Sequence, residues 1–287
     1  MNVPTGFRNV PISVLVNGAP VTHIEVTDRG LLYGDGLFET MALREGAIRL
    51  WPRHLRRLAA GCERLRIEPP APVTLEHEID ALTGGRSSGV VKVIVTRGRG
   101  ARGYGARRTA APTRVLSLHD DRDTPTAFYR EGIRLRFCAT RLGCNRDLAG
   151  IKHLNRLEQV LARLEADDGQ SDEGIMFDES DRVISGTMTN VFLVRAGRLI
   201  TPALSRCGVE GVMRGLVLES AAESRIEAEV RDVDSDEIAT AQELFVTNAL
   251  IGIWPVRACA GQPFGPGPVT RHLMSALVER GVRECAV

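Results

Sequence analysis

Apolar and polar positions alternate, or recur at three- and four-residue steps, in short stretches that divide the chain into brief strands and brief helices. Ile12–Val16 reads as a strand, followed by an Asn17-Gly18 turn and a second strand. "DRGLLYGDGLFETMAL" leads to a hairpin turn at Glu45-Gly46. In "IRLWPRHLRRLAAGCERL", His54, Leu55, Leu58 and Leu65 fall near one stripe with arginines beside it, which predicts a helix. A helix over Leu75–Leu82 precedes the strand "GVVKVIVTRG", and "TRVLSL" is a further strand. In the second half "GIRLRFCAT" alternates, with Ile133, Leu135 and Phe137 on one face. In "LAGIKHLNRLEQVLARLEADD", Leu154, Leu157, Val160, Leu161 and Leu164 keep helical spacing while Asn155, Arg156, Glu158 and Gln159 fill the other side. That pattern predicts a helix with a buried aliphatic stripe. Short strands "GIMFD", "NVFLV" and "RLITP" and a helix at "GVEGVMRGLVLESAAE" follow. Strands and helices mix without a strict βαβ rhythm, which points to an α+β fold. The polar segment His119–Thr126 is the best linker, giving domains 1–118 and 127–287 around a 119–126 connection.

Composition narrows the class without naming a chemistry. The 287 residues carry a net charge of +1, so no global field favours nucleic acid or an acidic membrane. No apolar run reaches the length of a membrane span, and "MNVPTGFRNVPI" has no signal-peptide core. Six cysteines without a CxxC pair, and six dispersed histidines, argue against a zinc site or a disulfide framework. Reduced thiols in a cytoplasmic protein, with no metal and no membrane or nucleic-acid partner, are the expectation.

Four places could carry chemistry. Lys152 falls where a strand-loop unit feeds the predicted helix, and a helix N-terminus there would lower its pKa and favour nucleophilic use. Most lysines are solvated surface groups, so position alone does not decide between the two readings. Arg57, in "HLRRL", could hold a phosphate with forked donors or be a solvated helix arginine. Gly208 and Gly211 precede a helix whose first amides, Val212 and Met213, could cradle a phosphate. The same glycines also suit a plain loop-to-helix entry. "TRGRGARGYGARR" sets Arg97, Arg99 and Arg102 on a loop suited to a small dianion or to RNA, or merely solvated. "TNALIGIWPV" ends a strand with Thr247-Asn248. One lysine with two separate phosphate grips is what a pyridoxal phosphate site requires.

"DRGLLYGDGLFET", "HLRRL", "TRGRGARGY", "LAGIKHLNRLEQVLAR", "GTMTNVFLV", "GVEGVMR" and "TNALIGIWPV" together resemble the fold-type IV pyridoxal phosphate enzymes, in order over roughly Ile12 to Val256. Within them, "GIKHLNRLEQVLAR" and "NAL" resemble the lyases that convert 4-amino-4-deoxychorismate to 4-aminobenzoate and pyruvate in folate synthesis. The D-amino-acid and branched-chain aminotransferases share the frame and are the alternative. The resemblance implies two α+β domains, an active site at their interface and a homodimer. It implies that Lys152 carries the cofactor and serves as general base, and that Arg57 and the Val212 and Met213 amides hold its phosphate. Asn155 falls to the phenolic side of the cofactor, and Ala249 also belongs with the cofactor residues. Arg97, Arg102, Asn248 and Phe38 fall on the substrate side, the two arginines as partners for its two carboxylates. One position departs from the family. Five residues before Asn190, where relatives place a glutamate for the pyridine nitrogen, this chain has Ser185. A weaker electron sink there favours elimination over transamination. A Gly/Arg-loop protein binding RNA is the non-enzyme rival; its single cluster and near-zero net charge speak against it.

Overall fold

In the computed structural model, which describes residues 11–106, 111–121, 124–165 and 169–286, the chain separates into two units. The first runs to Asp123 and takes in Lys152–Asn155; the second holds Thr124–Ile151 and Arg156–Val287. The break lies inside the segment read as a linker, of which residues 122 and 123 lie outside the described residues. The sequence reading puts Lys152–Asn155 with the C-terminal half. The structure puts it with the first unit, because those residues hydrogen-bond to a strand there.

That first unit is one antiparallel sheet in the order β1 (Ser13–Val16), β5 (Thr113–His119), β4 (Ser88–Thr96), β2 (Gly36–Arg44), β3 (Ala47–Ile48). β2 and β4 pair over their full lengths, Gly36 opposite Thr96 and Arg44 opposite Ser88. Strand alternation then sorts side chains: Leu37, Glu39, Met41 and Leu43 take one face, Phe38 and Thr40 the other. Helix α2 (Trp51–Leu65) lies on the Leu37 face and buries His54, Leu58, Gly61 and Cys62. Gly61 is needed for that approach, since a Cβ there would overlap the Leu37 side chain. The short α1 (Arg29–Tyr33) starts at Asp28, which accepts from the Gly30 amide, and stops at Gly34 in the left-handed region. Helix α3 (Pro72–Thr83) completes the unit, its Glu78 paired with Arg114 of β5 at 2.6 Å. The Asn17-Gly18 turn forms with both residues at positive φ. The strand expected after it does not, and pairing stops with Val16 and Ala19.

Between α4 (Thr126–Arg130) and α8 (Pro268–Glu279), the second unit carries a sheet in the order β11 (Ala228–Arg231), β10 (Arg198–Pro202), β9 (Asn190–Arg195), β12 (Glu243–Asn248), β13 (Gly252–Cys259), β6 (Ile133–Leu142), β7 (Glu173–Asp178), β8 (Val183–Gly186), with β14 (Gln262–Pro263) on β13. β13–β6, β6–β7 and β10–β11 are parallel and the remaining pairs antiparallel. The central strands are buried on both faces, and Phe192 stacks on its cross-strand partner Phe245 at 5.0 Å. The remaining helices are α5 (Leu157–Leu164), α6 (Val212–Glu223) and α7 (Ser235–Ala239). The tail after Val256 folds back: buried Glu243 accepts from the Val269 and Thr270 amides and the Thr270 hydroxyl, capping α8.

Helix α5 corrects the expectation twice. It begins at Leu157, five residues after Lys152, so Lys152 does not stand at its N-terminus and the dipole argument lapses. Its aliphatic stripe also faces outward. Leu157 is 76 % exposed, Val160 52 %, Leu161 55 % and Leu164 59 %, while Ala162 on the opposite side is buried.

Candidate active site

β2 positions the lysine. The Phe38 amide donates to the Lys152 carbonyl and the Leu154 amide to the Gly36 carbonyl, each at 3.0 Å, with Leu37 opposite His153. This short antiparallel pairing fixes the Lys152 backbone and turns its side chain to the Phe38 face, the amine 4.2 Å from that ring's centroid. Lys152 and Phe38, both read from the sequence, are thus together. Asn155 closes the segment beside Gly34, which has no room for a Cβ because the Asn155 amide occupies that space.

On the opposite face of β2, Glu39 is 2 % exposed and fully engaged. Arg57 donates to it twice, at 2.8 and 2.6 Å, and His54 Nδ1 lies 2.6 Å from Oε2. Burial opposes ionisation of Glu39, but the hydrogen bonds from Arg57 and His54 outweigh it and its pKa falls below the ordinary value. Burial also holds the His54 pKa down, against the pull of Glu39 and with help from the Arg57 and Lys152 charges. A neutral His54 donating Nδ1–H to an ionised Glu39 satisfies both shifts. Arg57 is therefore locked in orientation by Glu39 before any ligand arrives. The sequence reading missed the pairing of Glu39 with His54, which arises only when α2 packs on β2.

In its described part, up to Ala106, the Gly/Arg loop is tied down by Arg29 and Tyr33. Arg29, 4 % exposed, donates to the carbonyls of Gly103, Tyr104 and Gly105 and to Asp35. The Gly103 amide donates to the Tyr33 hydroxyl, and the Tyr33 and Tyr104 rings lie 5.3 Å apart. Arg97 does not fit the substrate role the sequence suggested. Its guanidinium bonds both Asp35 oxygens and the carbonyls of Leu65 and Arg66, so it anchors the end of α2. Arg102 is exposed and has no hydrogen bond or ion pair among the described residues.

In the second unit Gly150, two residues before Lys152, is bonded into the loop that leads to α6. Its amide donates to the Gly208 carbonyl, and its carbonyl accepts from the Glu210 amide. Gly208 has φ 86°, and a Cβ on Gly211 would overlap the Asn190 amide. Asn190 Nδ2 in turn donates to the Val209 carbonyl. The bare backbone places Val212 and Met213 at the start of a 12-residue helix that no side chain caps. Such an N-terminus fits a phosphate by donor set and dipole. Arg214, also missed from sequence, is buried in the first turn and donates to Thr201 Oγ1 and the Pro202 carbonyl. Ser185, on β8, is buried and donates its hydroxyl proton to the Gly186 carbonyl at 2.8 Å. It offers a lone pair and no charge. Asn248 uses Oδ1 to accept from the Leu250 and Ile251 amides, which shapes the turn holding Ala249.

None of the six cysteines is in a disulfide, and the described residues contain no group of three or more His, Cys, Asp or Glu side chains able to hold a metal ion. No helix among them is long and apolar enough to cross a membrane.

Residues 36–259 match the model of the amino-transferase class IV family. The chain is 34 % identical to the aminodeoxychorismate lyase of Vibrio harveyi over 267 residues, 91 % of this chain and 98 % of that one. It superposes on the crystal structure of 4-amino-4-deoxychorismate lyase from Pseudomonas aeruginosa with a TM-score of 0.89 and 47 % identity, covering 93 % and 98 % of the two chains. A branched-chain amino acid aminotransferase solved with pyridoxamine 5'-phosphate superposes with a TM-score of 0.83 at 25 % identity, covering 96 % of each.

Proposed function

The chain belongs to the amino-transferase class IV family, and within that family we propose that it is a pyridoxal phosphate-dependent lyase acting on 4-amino-4-deoxychorismate. The observation that carries this reading is the 47 % identity to the Pseudomonas aeruginosa lyase over nearly the whole of both chains. Lys152, Arg57 and the Val212 and Met213 amides are the residues that would hold the cofactor. When bound, pyridoxal phosphate supplies an electrophilic carbon for the substrate amine and a sink for the electrons released at the adjacent carbon. Lys152, set at the edge of β2, takes the proton from the ring carbon that bears the amine. The enolpyruvyl oxygen then leaves the neighbouring carbon with its bonding electrons, and the ring becomes aromatic. The products are 4-aminobenzoate and, once the enol is protonated at carbon, pyruvate. Arg102 is a partner for a substrate carboxylate. The Asn248 side-chain amide and Phe38 lie on the substrate side of this reading, and Asn155 and Ala249 on the cofactor side.

Ser185 favours the lyase over the aminotransferase alternative. Its hydroxyl brings no negative charge to stabilise a pyridinium, and its proton is already given to Gly186. Aromatisation drives the elimination without help from that charge. The exposed aliphatic stripe of α5 supports a homodimer, since four large apolar side chains in one patch suit burial against a second copy. A cytoplasmic role in folate synthesis belongs to the same reading. Lys152→Ala tests it: pyruvate release from 4-amino-4-deoxychorismate should fall by several orders of magnitude with the melting temperature preserved. Near-normal release by that variant would sink the assignment of Lys152.

A further inference from the structure

Two cysteines of the second unit meet where two loops touch. Cys144 follows β6 and is exposed; Cys207 lies between β10 and α6, buried in a cluster with Leu142, Ile184 and Leu204. The other four cysteines are buried. The Asn145 amide, in the peptide link that leaves Cys144, donates to the Arg206 carbonyl, in the link that enters Cys207, at 2.8 Å. With the adjoining links hydrogen-bonded, the two α-carbons cannot lie far apart. The side chains complete the approach, the Cys144 thiol being a hydrogen-bond neighbour of the Cys207 thiol. Further along, the Gly150 amide on the Gly208 carbonyl and the Glu210 amide on the Gly150 carbonyl hold the same two segments together.

The two thiols have different surroundings. Cys144 Sγ points to Asp178 Oδ2 at 4.0 Å, and Arg206 Nε stands 3.5 Å from that same oxygen. Asp178 is fully buried, and its other oxygen accepts from the Ser180 and Arg182 amides. The guanidinium balances the carboxylate, so the carboxylate does not bar a thiolate at Cys144. Cys207 is shielded from solution. Burial pushes its thiol up to about 12, with the Cys144 and Asp178 charges adding to the effect. An exposed thiol backed by a protected one suits stepwise oxidation: the first meets the oxidant and the second resolves the product.

We propose that Cys144 and Cys207 are an oxidisable dithiol, closed by hydrogen peroxide to a disulfide that clamps residues 144–151 onto the loop entering α6. Cys144 Sγ attacks one peroxide oxygen; the S–O bond forms, the O–O bond breaks, and the second oxygen leaves as water with the thiol proton. Cys207 Sγ then attacks Cys144 Sγ. The S–S bond forms, the S–O bond breaks, and the hydroxyl leaves as a second water with the Cys207 proton. Two thiols give up two electrons and one peroxide is reduced to two waters. In sequence, residues 144–151 run on to Lys152, and the loop after Cys207 runs on to the Val212 and Met213 amides. The cross-link makes covalent a junction that backbone hydrogen bonds already hold, so it forms without rebuilding either loop.

The test treats the cofactor-loaded protein with a small excess of hydrogen peroxide, counts free thiols after denaturation and maps the oxidised peptides by mass spectrometry. Wild type should fall from six free thiols to four, with the Cys144 and Cys207 peptides joined and two hydrogens lost. Dithiothreitol should restore all six. The oxidised form should melt about 5–10 °C above the reduced form, as a cross-link closing a long loop does. Cys144→Ser should keep its five thiols and gain nothing in melting temperature. Cys207→Ala should stop at a dimedone-reactive sulfenic acid on Cys144; if that variant does not fold, Cys144→Ser carries the comparison. An unchanged thiol count in wild type, a disulfide joining two chains, or a sulfinate on Cys144 beside a reduced Cys207 would overturn the proposal. So would a Cys144–Cys207 link that leaves the melting temperature where it was.

Discussion

Arg57→Ala should damage the protein in two separable ways. Arg57 gives Glu39 two donors, and without them a carboxylate that is 2 % exposed keeps the His54 Nδ1–H alone of those three bonds. Removing one partner of a buried ion pair costs about 3–5 kcal/mol. The Arg57 side chain is 14 % exposed and His54 remains, so the loss belongs at the lower end, about 3 kcal/mol. For a chain of this size that is a fall of ~6–12 °C in the melting temperature of cofactor-free protein. Glu39→Gln in the same chain removes the stranded charge and should restore most of the stability. It should not restore the cofactor. Both Arg57→Ala and the double variant should lose pyridoxal phosphate on dialysis, with affinity down about 10- to 100-fold. Differential scanning calorimetry reads the first effect and the visible absorbance of retained cofactor reads the second. A double variant that keeps its cofactor like wild type would move the phosphate grip away from Arg57. An Arg57→Ala protein melting with wild type would refute the stated dependence of Glu39 on its partner.

Arg97→Ala should lower the melting temperature by several degrees while leaving KM nearly unchanged, because its partners are Asp35 and the end of α2; a raised KM at unaltered stability would return it to the substrate. Arg102→Ala should raise KM for 4-amino-4-deoxychorismate and leave the cofactor absorbance untouched, and steady-state kinetics with a spectrum of each variant decides it. Ser185→Glu should raise transamination of D-alanine relative to pyruvate release, measured as conversion of the cofactor to pyridoxamine phosphate; an unchanged ratio would detach Ser185 from the pyridine nitrogen. Glu39 has its folded pKa lowered, so its contribution to stability is complete above the ordinary value of 4.5 and is lost as pH falls through the folded value. The melting-temperature gap between wild type and Arg57→Ala should accordingly be full at neutral pH and shrink below that value, and a gap independent of pH would contradict the linkage.

Much of this architecture is legible in the residues because the period of the apolar positions is local information. The β2–β3 hairpin, α2, and the strands β4, β5, β6, β7, β9 and β10 follow from alternation, helical spacing and the turn residues at Glu45-Gly46. The short extended piece at Lys152 is not legible. Its conformation is imposed by hydrogen bonds to Gly36 and Phe38, more than a hundred residues away, which override the helical spacing of Leu154 and Leu157. Periodicity also cannot say whether a stripe meets its own chain or another, which is why the apolar side of α5 was expected inside and is exposed. Among the site residues, the Lys152 amine lies 4.2 Å from the centroid of the Phe38 ring. Arg97 shows the opposite limit: an arginine in a Gly-rich stretch looks free for a ligand until its carboxylate, Asp35, is brought beside it by the fold.

The measurement closest to the central claim is a direct competition of activities in wild-type enzyme loaded with pyridoxal phosphate. Pyruvate and 4-aminobenzoate released from 4-amino-4-deoxychorismate are followed in one reaction, and pyridoxamine phosphate formed from D-alanine or L-leucine in another. The account predicts sustained release of both products in equal amounts, with negligible pyridoxamine phosphate from either amino acid. Faster conversion of the cofactor by an amino acid than release of pyruvate would contradict it and make the protein an aminotransferase.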